Sequence, residues 1–226
     1  MKNYLEIAES YKPYYDGQEK YYHNFLHAIW TVIKGLDVMK SFGLSERLKV
    51  IYAHAMSLHD AGHSNGEFEH DIDNVKKALI IFERYCKLPK ESVDWKMART
   101  IILATAAPYE KYQSLEEIVY YSGVPEEEFT NLQLLIEIAR DVDHIGIIGI
   151  QNKDKRNQAL VGLMRELLKR HSKKNLTGFI EQGTKHFFDG IHFYTDYMKE
   201  WAEENLEEAK KWQLDFSKEA IELASK

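Results

Sequence analysis

The chain has 226 residues and a formal net charge of −6, from 30 basic and 36 acidic side chains. That length can bury one full hydrophobic core, and the acidic balance excludes a general nucleic-acid binder, which carries a basic stripe. A single cysteine, Cys86, leaves no internal disulfide and suits a reducing cytoplasm.

The opening stretch, "MKNYLEIAESYKPYYDG", has scattered charges and no apolar segment suited to a signal peptide. No run approaches the roughly 18 apolar residues of a membrane helix, so the expectation is a soluble cytoplasmic protein without a membrane partner. Prolines stand only at positions 13, 89, 108 and 125. Apolar residues recur at three- and four-residue spacing, which predicts an all-α fold. "NFLHAIWTVIKGLDVMKSFG" puts Phe25, Leu26, Ile29, Ile33, Leu36 and Met39 on one helical face, with Gly43 as its C-terminal cap. Ser45 starts a second helix expected to run to about Asp60, where Gly62 lets it turn. A third covers about 70–87 and ends before Pro89. Ser92 caps a fourth, closed by Pro108. The next long helix spans "EEEFTNLQLLIEIARDVDHIGIIG", and helices over about 153–171, 178–204 and 206–224 complete the chain. Without repeats, low-complexity segments or a long linker, residues 1–226 form a single domain: a core of about 20–150 and a helical C-terminal part of about 151–226.

The histidines carry the chemistry. In "YYHNFLHAIW", His23 and His27 are one helical turn apart and share a face. In "HAMSLHDAGHSN", His59 directly precedes Asp60. Neighbours on a helix point about 100° apart, so both serve one purpose only by reaching a small object between them, such as a metal ion. Asp141, in "IEIARDVDHIG", sits in a strongly apolar helix where a carboxylate is costly unless paired or bound to a cation. Asp143 and His144, within one turn, are its rivals for that role.

Taken in order, "YHNFLHA" (22–28), "LHDAGHSNG" (58–66) and "ARDVDHIG" (139–146) resemble the HD-domain superfamily of metal-dependent phosphohydrolases. The first two segments are most similar to the class I cyclic-nucleotide phosphodiesterases. The third looks more like the HD-type deoxynucleotide triphosphohydrolases. The resemblance covers about residues 20–150 and implies an HD-domain helical bundle with His27, His59, Asp60 and Asp141 as metal ligands. Two imidazoles and two carboxylates suit an octahedral divalent ion (Mn, Mg, Ni, Co, Fe or Zn) with open positions for water. One ion is held tightly and a second can bind through Asp60. A water on such an ion loses a proton easily and becomes the nucleophile. Asp60 is thus both ligand and catalytic residue. His23 matches the phosphodiesterase general acid, and His63, one turn beyond His59, would orient a water or the substrate phosphate. Asn24 is read as a structural hydrogen-bonding residue and His54 as structural. Glu69 and His70 could reach the same cleft or belong to a solvated loop.

The implied function is metal-dependent cleavage of a phosphodiester, phosphate ester or anhydride of a small nucleotide-like substrate. A nucleotidase or nucleoside-triphosphate pyrophosphohydrolase is the alternative within enzymes, and a non-catalytic nucleotide-binding sensor the alternative outside them. The sequence departs from the wider superfamily in one interval. No histidine lies between His70 and His144, and Ala106, Ala107 and Pro108 stand where a fuller two-metal site would have one, which argues against a di-iron oxygenase. Purine recognition in the class I enzymes uses a glutamine and a phenylalanine. Phe179 lies in a similar setting, but Leu176 stands where the glutamine is expected.

The charges of 153–174 read as a solvated helix face, or as phosphate capture by Lys155 or Arg156. Trp30, Tyr85 and Trp95 read as core. Phe187, Phe188, Ile191, Tyr194 and Trp201 form either core or a homodimer face.

Overall fold

The structure is a computed structural model that describes residues 2–68, 70–107 and 114–226; for Lys2, Lys174, Phe179, Glu181 and His186 it describes the backbone alone. Among the described residues the fold is all-α, without a strand. The helices are α1 (Lys2–Glu9), α2 (Phe25–Ser41), α3 (Glu46–Met56), α4 (Asp71–Tyr85), α5 (Val93–Ala104), α6 (Leu115–Tyr120), α7 (Phe129–Ile145), α8 (Lys153–Leu167), α9 (Lys173–Gly190) and α10 (Asp196–Ala224). None of them is long and apolar enough to cross a membrane.

Side-chain caps set most of the starts. Asn24, Ser45, Ser92, Asn152, Ser172 and Thr195 each accept a backbone N–H from the first turn of the helix that follows. Each satisfies a donor with no partner inside its helix. Gly43 ends α2 with φ of 64°, the left-handed conformation that glycine adopts without steric cost.

The main core lies among α2, α3, α5 and α7, where Val32, Ile51, Ile101, Ile102, Leu132 and Ile136 are fully buried. Removing each from water stabilises the fold by about 1.5–3 kcal/mol. A second cluster holds α8, α9 and α10 together through Leu160, Met164, Leu176 and Ile221. The segment carrying Tyr22 joins this cluster, so the approach to α2 is packed against α8. Phe188 is buried in the main core, with Phe187, Ile191 and Trp201 packed against it. Four of the five residues of that aromatic run thus lie in or against the core. Trp95 is buried, whereas Tyr85 is part-exposed and stacks on Tyr14 at 4.6 Å.

Several boundaries differ from expectation. The helix begun by Ser45 stops at Met56, and residues 57–62 continue as tight turns. The fourth helix ends at Ala104, and Pro108, Tyr109 and the residues to 113 lie outside the described residues. The break expected near 205 falls at 191–195 instead, because the backbone there is captured by Asp141.

Candidate metal centre

Asn24 builds the first wall. Its carboxamide oxygen accepts from the N–H groups of Leu26 (2.8 Å) and His27 (3.2 Å), and its amide donates to the Tyr21 carbonyl. This pins the first turn of α2 and buries the His27 ring at its inner face. The turns after Met56 present His59 and Asp60. His59 Nδ1 lies 2.8 Å from the Met56 carbonyl oxygen, which can only accept, so Nδ1 carries a proton. In a neutral ring the lone pair is then on Nε2, which faces the interior of the site.

Asp143, near the end of α7, lies beside both imidazoles. His27 Nε2 is 3.3 Å from Asp60 Oδ2 and 3.1 Å from Asp143 Oδ1, and His59 Nε2 is 3.1 and 3.5 Å from the same two atoms. Ligands about 2.1 Å from one ion lie about 3.0 Å apart in adjacent octahedral positions and about 3.4 Å apart in a tetrahedron. The four imidazole–carboxylate distances are of that size, and ligating atoms of His27, His59 and Asp60 all lie within 4.8 Å of one another. His59 Nε2 and Asp60 Oδ2 are moreover buried without a hydrogen-bond partner among the described residues. Leaving such atoms unsatisfied is costly, so a cation fits the set. Burial opposes charge on His59, but Asp60 and Asp143 outweigh it and raise its pKa well above the usual value. Burial likewise works against ionised Asp60 and Asp143, and the facing imidazoles hold both well below the usual range.

The expected fourth ligand, Asp141, is elsewhere. Its Oδ1 accepts from the Tyr194 N–H at 2.8 Å, and its Oδ2 from the Thr195 N–H at 2.8 Å and the Thr195 hydroxyl at 2.7 Å. Residues two apart on a helix point about 200° apart, so one aspartate faces the histidines while the other faces the start of α10. Burial pushes the Asp141 pKa up to about 6, against the pull of those three donors. Of the four residues expected to ligate, His27, His59 and Asp60 come together, Asp141 does not join them, and Asp143 lies beside the two imidazoles instead.

A second group adjoins the first. His23 Nδ1 lies 2.6 Å from Glu166 Oε2, and Glu166 Oε1 accepts the N–H groups of Tyr22 (2.8 Å) and His23 (3.0 Å). The His63 ring stacks on His23 with centroids 3.9 Å apart, and its Nδ1 accepts from the Asn65 N–H at 3.0 Å. Ligating atoms of His23, His63 and Glu166 also lie within 4.8 Å of one another. Unlike the first group, every carboxylate oxygen here has a donor from the chain itself, so an ion is not needed to satisfy it. Burial disfavours the charged His23 ring, but Glu166 and then Asp60 overcome this and raise its pKa to about 10. Burial and the neighbouring His23 charge lower that of His63 to about 3.

Glu166 was not among the expected site residues. Its signal is Gly162, one turn earlier on the same face of α8. A Cβ on Gly162 would come within 2.8 Å of the Tyr21–Tyr22 peptide, and a Cβ on Gly66, whose φ is 91°, would overlap the Glu166 carbonyl. Two glycines thus let the 20–23 segment and the 62–66 loop close on Glu166.

The remaining candidates are dispersed. His54 pairs with the Tyr11 hydroxyl at 2.7 Å, in keeping with a structural role. His70 is exposed and precedes α4, and Glu69 lies outside the described residues. Arg156 lies over the Trp212 ring at 4.3 Å, whereas Lys155 borders a groove between α2 and α8. Leu176 is buried, and the Phe179 side chain lies outside the described residues. Comparison with protein-family models, with curated proteins and with solved structures finds no match to this chain.

Proposed function

We propose that the protein is a divalent-metal-dependent phosphohydrolase of the HD type, cleaving a phosphodiester, ester or anhydride bond in a small nucleotide-like molecule. One observation carries this reading. Two imidazole nitrogens and two carboxylate oxygens from α2, the turns after α3, and α7 converge at 3.1–3.5 Å, and two of these atoms have no hydrogen-bond partner. His27, His59, Asp60 and Asp143 would hold the ion. Bound there, it supplies a Lewis acid for phosphoryl oxygens and lowers the pKa of water.

The chain's own residues supply the rest. His23 Nδ1 lies 2.6 Å from Glu166 Oε2, which favours the doubly protonated ring, and the part-exposed ring beside the ligand set would give a leaving oxygen the proton of its Nε2. The high pKa of His23 owes a part to Asp60, and a cation held by Asp60 would offset that field and make the His23 proton easier to give up. His63 packs flat against His23 and keeps the ring in place.

The test is turnover of bis-p-nitrophenyl phosphate, p-nitrophenyl phosphate and a panel of nucleotides with manganese, nickel, cobalt and magnesium. Hydrolysis of the diester above the monoester supports the phosphodiesterase form, and the reverse supports a nucleotidase. No turnover with any metal, together with tight nucleotide binding, would replace the enzyme by a sensor.

A further inference from the structure

Between α2 and α8 runs a groove of about 490 Å³, a volume usual for small-molecule sites. Its floor is apolar. Trp30 and Ile33 are half-buried along it, and Leu26 at its edge is 74 % exposed, which continues the apolar surface to the rim. The indole of Trp30 is held in place because Gly149 has no side chain: a Cβ there would come within 2.8 Å of the ring. The rim has the opposite sign to the chain as a whole. Lys20, Lys155 and Arg165 face it against Glu19 alone, in a protein of net charge −6. None of the three cations has a carboxylate partner among the described residues; Arg165 donates to the Lys20 carbonyl at 3.2 Å.

We propose that this groove is a binding site for a small aromatic acid, its flat body on Trp30 and Ile33 and its anionic group at Lys155 and Arg165. An apolar floor alone would accept neutral molecules, and a cationic rim alone would accept inorganic anions. Together they select molecules with both features, because the body removes apolar surface from water while the acid meets uncompensated positive charge. The site does not depend on the metal reading. His27 forms part of its wall, but Asp143 does not line it.

The experiment is calorimetric titration of the full chain with naphthalene-2-sulfonate, neutral 2-naphthol and inorganic sulfate. The sulfonate is expected to bind at one site at least about tenfold more tightly than naphthol, with no binding of sulfate. Lys155→Glu and Leu26→Glu should each weaken it about tenfold or more. Both positions lie in first helical turns, where a glutamate is favourable, so both variants should fold. Asp143→Asn should leave sulfonate binding unchanged, and this arm separates the groove from the metal centre. Absence of saturable binding, equal affinity for naphthol, or affinity unmoved by both glutamate variants would overturn the proposal, whatever the metal content.

Discussion

Glu166 and His23 are 143 residues apart in sequence and 2.6 Å apart in space. The carboxylate also receives both backbone N–H groups that lead into the ring, so one side chain sets the position of His23 and its charge. Glu166→Gln is expected to retain metal. It should move the alkaline limb of the pH–rate profile to lower pH, because the interaction that favours protonated His23 is weakened. His23→Ala should lower kcat by about two to four orders of magnitude while metal content stays the same. A pH profile unchanged by Glu166→Gln would remove the pair from the mechanism.

The two aspartates of α7 give opposite results. Asp143→Ala should purify with little metal and near-normal stability, since it removes a ligand close to solvent. Asp141→Ala should keep metal but lose about 2–4 kcal/mol in urea denaturation, having left two backbone donors and a hydroxyl unsatisfied. Elemental analysis of both proteins, set beside their denaturation midpoints, checks the assignment. Metal loss in the Asp141 variant alone would reverse it.

Acid stability follows from His54. The Tyr11 hydroxyl accepts from the Lys87 N–H and lies 2.7 Å from His54 Nδ1, to which it can donate when the ring is neutral with its proton on Nε2. Burial, aided by Lys87, lowers its pKa from 6.5 to about 4. The unfolded chain therefore binds the proton more readily, and its contribution is complete above about pH 6.5. It is lost as the pH falls through 6.5 toward 4, by roughly 3 kcal/mol. His54→Asn, which keeps an acceptor for Tyr11, should flatten this part of the stability curve. Chemical denaturation at several pH values measures it.

Gly162→Ala forces a methyl group against the Tyr21–Tyr22 peptide. The expected cost is about 1–3 kcal/mol. Turnover should also fall with metal still bound, because the segment carrying His23 is displaced from Glu166. A variant as stable and as active as the parent would show that the contact is slack.

The helical class was legible because apolar spacing and cap residues act locally, as Asn24, Ser45 and Ser92 show. His27, His59 and Asp60 were legible because their spacing is set by single turns. The choice between Asp141 and Asp143 was not. Both stand in the same apolar helix, and what separates them is the position of Tyr194 and Thr195, more than fifty residues later. Glu166 was hidden for the same reason: its partners come from the start of the chain. The end of α9 was misplaced because its neighbouring residues suit a helix, while the buried carboxylate of Asp141 holds their N–H groups.

The hold of Asp141 on Tyr194 and Thr195, just ahead of α10, also acts as a rotational lock. A turn of α7 by one residue, about 100°, would carry Asp143 away from the two imidazoles. Such a turn would have to break three hydrogen bonds on the far side of the same helix. The angular setting of one donor at the centre is thereby fixed by a helix that contributes no donor of its own. Loosening α10 at its first turn should therefore let Asp143 swing away from the two imidazoles before it unfolds anything.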